Sequence, residues 1–311
     1  MKSRFITILT PCYNEEGNVE ELYQQIKAIM AVLPQYEYEH LYIDNASIDN
    51  TTSILRQITS RDNRVKVILN VRNFGHIRSP YHAFLQAKGE AVIVMVSDLQ
   101  DPPLLIADFL EKWEEGYKIV LGQKEASKEN ALIFFLRKLY YRTVRKLADV
   151  ELLDNVTGFG LYDREVIEHF RWMDNAYPYV RGLISELGYP VARILYTQPN
   201  RQSGLTKNNF YTLYDMAMLG FTSHSKIPLR LAAIMGFLAS ILSFTIACFY
   251  LVYKLLYWND FSVGIAPIVI GIFLFSSVQL FFIGVLGEYI GAIHTQVLKR
   301  PLVIEKERIN F

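Results

Sequence analysis

Apolar residues follow two different rhythms along this chain. Over roughly the first hundred residues, short apolar runs alternate with stretches in which apolar positions recur every three or four residues. Phe5–Thr10, His40–Asp44, Val65–Leu69 and Ala91–Val96 are largely apolar on consecutive positions, the pattern of strands buried on both faces. Asn18–Leu33, Thr51–Arg61 and Ser79–Lys88 lie between them and read as amphipathic helices. Strand–helix alternation predicts an α/β fold with a mostly parallel sheet covered by helices on both faces. From Leu231 the rhythm changes, and Leu231–Tyr253 and Phe261–Gly287 contain no charged residue. At about 1.5 Å per residue, each run is long enough to cross a hydrocarbon core of ~30 Å as a helix. The short connection Lys254–Asp260 makes the two spans a helical hairpin with both flanks on one side.

Charge then orients the hairpin. Lys226 and Arg230 precede it, and Lys299, Arg300, Lys306 and Arg308 follow it. Positive residues mark the cytoplasmic side, which places the N-terminal part and both termini there, on a plasma (inner) membrane. Tyr250, Tyr253, Tyr257 and Trp258 suit the opposite interface. The expected division is a cytoplasmic domain over 1–227, a hairpin over 228–290 and a cytoplasmic tail over 291–311. With Lys+Arg 32 against Asp+Glu 31, a general attraction to nucleic acid is not supported. Cys12 and Cys248 fall in different parts of the chain, a spacing that fits a reducing compartment rather than a disulfide. Asn14, Glu15 and Glu16 arrive too early for the apolar core of a signal peptide.

In open parallel sheets, ligands bind beyond the carboxyl ends of the strands. Each of the four strands is followed by a polar cluster: Pro11–Glu16, Asp44–Thr51, Asn70–His76 and Ser97–Pro103. Several of these residues have local explanations. Asn14 is placed to cap the first helix, and Asp101 before two prolines is placed to start the fourth. Asp98 and Gln100 are left over. A carboxylate and an amide oxygen two residues apart are hard ligands that can share a divalent cation with phosphate.

PCYNEE, the Asp44–Thr51 turn, NFGH and SDLQDPP resemble, in order and spacing, the family 2 glycosyltransferases. Within these the chain looks like the polyisoprenyl-phosphate branch, which holds dolichol-phosphate mannose synthases and bacterial undecaprenyl-phosphate glucosyltransferases. Gly287-Glu288-Tyr289-Ile290-Gly291 and Lys299-Arg300-Pro301 extend the likeness past the second span. The resemblance implies a GT-A type nucleotide-sugar-binding domain, with transfer of a hexose from a nucleotide-sugar, taken as UDP-linked, to a polyisoprenyl phosphate with inversion. It implies donor contacts from Pro11, Tyr13, Glu15, Asp44, Asn45 and Asn73, and Mg²⁺ or Mn²⁺ held by Asp98 and Gln100. Arg201 and Lys207 match the basic loop that closes over the donor phosphates, and join Asp98 as the catalytic set. A homo-oligomer is implied by the resemblance alone.

Three positions depart from the family pattern. Val96 stands where an aspartate usually precedes Ser-Asp, Asn45 replaces the second acid of the turn, and Gly158 replaces the acid often assigned as catalytic base. These departures also fit a non-catalytic membrane scaffold or a transferase with another acceptor. A hydroxyl acceptor needs a base. A lipid phosphate, with a second pKa near ~6, is already largely dianionic at neutral pH. Cations that could hold that phosphate are Lys124, Arg137, Lys138 and Arg142. The stretch 131–147 is basic on one side and apolar on the other, which fits an interfacial helix or one packed on the domain. The resemblance favours the interfacial placement, and 209–225 is a second candidate.

Overall fold

A computed structural model describes residues 3–124, 156–175, 177–178, 180–199, 218, 227–257 and 265–311. The proposed interfacial helices 131–147 and 209–225 lie outside the described residues. The four apolar runs form β1 (Arg4–Cys12), β2 (Tyr36–Asp44), β3 (Val65–Asn70) and β4 (Ala91–Val94). The helices between them are α1 (Val19–Ala31), α2 (Thr51–Arg61) and α3 (Gly75–Gln86). α3 begins a turn earlier than the sequence reading places it and carries Pro80 inside it, where the missing N–H costs one early helical bond.

The chain continues through α4 (Leu105–Glu114), β5 (Ile119–Lys124), β6 (Val156–Asp163), α5 (Arg164–Met173), α6 (Val180–Leu187) and β7 (Val191–Tyr196). Two long helices, α7 (Ile227–Leu256) and α8 (Ile265–Val297), and a last strand, β8 (Glu305–Ile309), complete it. The eight strands form one mixed sheet in the order β7-β5-β6-β4-β1-β2-β3-β8. β4, β1, β2 and β3 pair in parallel, while β6 and β8 join antiparallel. Within the apolar strands a period of two persists. Ile6 and Ile8 pack toward α1 and α4, while Leu9, Leu41 and Ile43 pack toward α3 and α5.

α7 and α8 contain stretches long and apolar enough to cross a membrane, Leu229–Leu256 and Gly271–Val297. Large apolar side chains on both are bare of protein: Phe244 is 71% exposed and Phe273 is 70% exposed. Beyond α8, Lys299 takes a left-handed conformation (φ 44°) as the chain turns back toward the sheet. The segment read as a tail therefore contains an edge strand, with Val67 opposite Ile309 and Ile68 opposite Arg308. The ion pair Arg56–Glu307 and the hydrogen bond between His82 Nε2 and Glu305 Oε1 fix β8 to α2 and α3. Its short, alternately charged sequence carries no strand signal of its own; the open edge of β3 supplies the partner.

Candidate active site

Hydrogen bonds sew the loops at the carboxyl edge into one rim. From the loop after β1, Asn14 N donates to Ser47 Oγ (2.9 Å), in the loop after β2, and Glu15 N to Thr51 Oγ1 (2.8 Å), at the start of α2. Ser97 Oγ, after β4, donates to Pro11 O at 3.2 Å. Asn45, after β2, reaches the loop after β3. Pro11, Tyr13, Glu15, Asp44, Asn45, Asn73, Asp98 and Gln100 thus lie on one connected edge.

Two expectations about this edge are corrected. Asn14 does not cap α1: it is left-handed (φ 55°), and its Oδ1 accepts from Ile48 N at 2.9 Å. The N-cap position belongs to Asn18, whose Nδ2 donates to Glu15 Oε2 at 2.6 Å. Asp101 does not start α4, which begins at Leu105. Its buried carboxylate instead accepts from Val96 N (3.3 Å) and from Tyr196 OH (3.1 Å), tying the loop after β4 to the end of β7. Burial pushes the Asp101 pKa up to about 6; those two hydrogen bonds and the charge of Lys124 pull it down, while Asp98 pushes it up.

Asp44 is buried and holds its own turn, accepting from Ser47 N (3.1 Å), Ser47 Oγ and Thr52 Oγ1 (3.2 Å). Beside it, burial raises the pKa of the Cys12 thiol well above the usual value, and Asp44 adds to the effect. Asp98 is buried, and its Oδ1 accepts from Gln100 N at 3.2 Å, which sets both side chains in one tight turn. Lys124, at the end of β5, donates to Gln198 Oε1 at 2.8 Å. Tyr196 and Gln198 are rim residues that sequence reading missed, because β7 joins this edge only through pairing with β5. Arg137, Lys138, Arg142, Arg201 and Lys207 lie outside the described residues.

Two of the three departures from the family pattern have a local account. Asn45 Nδ2 donates to Asn73 Oδ1 (2.9 Å) and Gly75 O (3.2 Å), while its Oδ1 accepts from Asn70 Nδ2 (3.2 Å) and Phe74 N (2.9 Å). An ionised carboxylate could not donate to the first two. Gly158 has φ +94°, which favours glycine, and its carbonyl accepts from Tyr162 OH at 3.0 Å. Two residues on, a Cβ at Gly160 would meet Val120 O at 2.2 Å, so β6 needs glycine there to lie against β5. Val96 is 40% exposed on the rim, and its side chain supplies no ligand.

A largely parallel sheet with its polar loops gathered at the carboxyl edge is the framework of a GT-A type sugar transferase. The family model for glycosyl transferase family 2 matches residues 7–171. This chain belongs to glycosyltransferase family 2. It is 34% identical over 96% of its length to an uncharacterized glycosyltransferase, YkcC, of Bacillus subtilis, covering 92% of that protein. It is 31% identical to the SfII prophage-derived bactoprenol glucosyl transferase of Shigella flexneri, over 97% of each chain. Among solved structures, glucosyl-3-phosphoglycerate synthase of Mycobacterium tuberculosis, with Mn²⁺, UDP and phosphoglyceric acid, is 18% identical. That match has a TM-score of 0.48 and covers 70% of this chain and 76% of the other.

Proposed function

We propose that this protein transfers a hexose from a UDP-sugar to a polyisoprenyl phosphate at the cytoplasmic membrane face, giving a lipid-linked monosaccharide. The observation that carries the reading is the match to bactoprenol glucosyl transferases over 97% of both chains, domain and apolar helices together. The pairing of β8 with β3 supports the topology, because the chain leaving α8 returns to the sheet that holds the candidate site. With α7 and α8 as a spanning hairpin, the domain and both termini share one side.

In the reaction, a phosphate oxygen of the acceptor bonds to the anomeric carbon as the bond from that carbon to the donor diphosphate breaks, inverting the centre. The attacking oxygen carries no proton near neutral pH, so no protein base is required. Gly158 is compatible with that chemistry, and Lys124, at the end of β5, is assigned to steady the acceptor phosphate. Pro11, Tyr13, Glu15, Asp44, Asn45 and Asn73 are assigned to the donor side of the rim. Arg201, Lys207, Arg137, Lys138 and Arg142 are assigned to the two phosphates from sequence.

Among the described residues, no group of three His, Cys, Asp or Glu side chains is placed to hold a metal ion. Asp101 is committed to Val96 and Tyr196, which leaves the oxygens of Asp98 and Gln100. That set fits Mg²⁺ or Mn²⁺ arriving with the donor diphosphate better than an ion in a protein cage. When bound, the cation would neutralise the leaving diphosphate.

The test supplies UDP-sugars and polyprenyl phosphate to sealed inside-out vesicles containing the full chain, and reads nucleotide release and lipid product. Asp98→Ala and chelator should each abolish transfer. Normal turnover by Asp98→Ala, or activity only in right-side-out vesicles, would overturn the metal assignment or the topology respectively. A protein that binds no nucleotide would favour the scaffold reading.

A further inference from the structure

Three arginines crowd together where the chain emerges from α8. Arg300 lies three residues beyond Val297, the last residue of the helix, so it sits within about 10 Å of the helix end. From there Arg78, in α3, donates through Nη2 to Pro301 O. Arg72, in the loop after β3, stacks over Phe74 with Cζ 4.0 Å from the ring centre, and Arg78 Cζ lies 5.9 Å from the same ring.

Among the described residues none of the three arginines meets a carboxylate, and the hydrogen bonds of Arg72 and Arg78 go to backbone carbonyls. The buried Nε of Arg78 has no acceptor among them. Burial, together with the charges of Arg72 and Arg300, pushes the Arg78 pKa down. Like charges held this close raise the energy of the free protein and call for an anion.

We propose that Arg72, Arg78 and Arg300 form a binding site for the phosphate of an anionic bilayer phospholipid, docking the carboxyl edge of the sheet against the membrane. Planar guanidinium groups suit phosphate oxygens, and the site adjoins a helix end that lies at headgroup depth if α8 spans. It is also separate from the expected acceptor path. Lys124 lies on β5, with four strands between it and β3 in the sheet order, so a lipid phosphate here is not the one that reacts. The inference rests on the membrane-spanning part of the proposed function and not on the transfer reaction.

The experiment titrates the purified full chain, in a non-ionic detergent, with dioctanoyl phosphatidylglycerol, dioctanoyl phosphatidylcholine and, separately, UDP. Phosphatidylglycerol should bind saturably and phosphatidylcholine should not. Arg300→Gln should weaken phosphatidylglycerol about fivefold, and Arg72→Gln with Arg300→Gln about 25-fold. Both positions are exposed, so the fold should survive, and Arg78→Lys should retain much of the affinity. UDP affinity should not change in any variant. Equal phosphatidylglycerol affinity in the double variant, or binding of phosphatidylcholine as tight as that of phosphatidylglycerol, would overturn the site. A parallel loss of UDP affinity would assign the arginines to the donor, and displacement by a short polyprenyl phosphate would assign them to the acceptor; either result overturns the inference. Failure of the wild-type chain to bind UDP would count against the proposed function alone.

Discussion

Replacing Asn45 with aspartate would restore the acid that the family pattern usually carries, yet the structure argues that it should damage this protein. The orientation of the Asn45 amide is fixed by backbone neighbours: Phe74 N can only donate and Gly75 O can only accept. In Asn45→Asp the bonds from Phe74 N and Asn70 Nδ2 survive. The two donated bonds, to Asn73 Oδ1 and Gly75 O, are lost, and a buried carboxylate is left against two acceptor oxygens. Two net hydrogen bonds plus partial desolvation of the unpaired oxygens amount to roughly 2–4 kcal/mol. For a domain of this size that lowers the unfolding midpoint by roughly 5–15 °C at neutral pH. The assay is thermal unfolding of the full chain in detergent, followed by tryptophan fluorescence, at neutral and acid pH. The defect should shrink in acid, because the protonated side chain can again donate one bond. An unchanged midpoint at neutral pH, or a clear gain in transfer rate, would refute the view that Asn45 serves the loop rather than replacing a lost ligand.

Gly158→Asp, the direct way to restore an acid at that position, forces a Cβ onto φ +94° and should cost about 1–3 kcal/mol of stability with no gain in rate; a large gain in transfer would show that a base was missing. Asp101→Asn tests the buried carboxyl. Because the folded pKa is raised from 3.8 to about 6, the stability this group confers is full below pH 3.8 and is lost as pH rises through about 6, a change of about 3 kcal/mol. The variant should therefore gain on wild type by that order between pH 4 and pH 7.5 in denaturant titrations; parallel curves would refute the assignment.

The apolar pattern alone determined the parallel heart of the sheet. β1 to β4 bury both faces, so runs such as Phe5–Thr10 are largely apolar on consecutive positions, and that is visible without neighbours. The same holds for the long uncharged runs within α7 and α8, which are a property of the sequence. The polar clusters after the strands were legible because a parallel sheet leaves its carboxyl ends open for them. What each residue does within those clusters was not. Asn14 and Asp101 both have the chemistry of helix caps, but tertiary contacts recruit them to neighbouring loops and to Tyr196 instead. Gly158 looked like loss of an acid, when its positive φ favours glycine, and Gly160 two residues on is required by the closeness of β5. β8 was invisible for a related reason. Four residues of alternating charge and an isoleucine have no reason to be a strand until the chain leaving α8 is laid along the open edge of β3, where backbone groups and partners such as Arg56 await them.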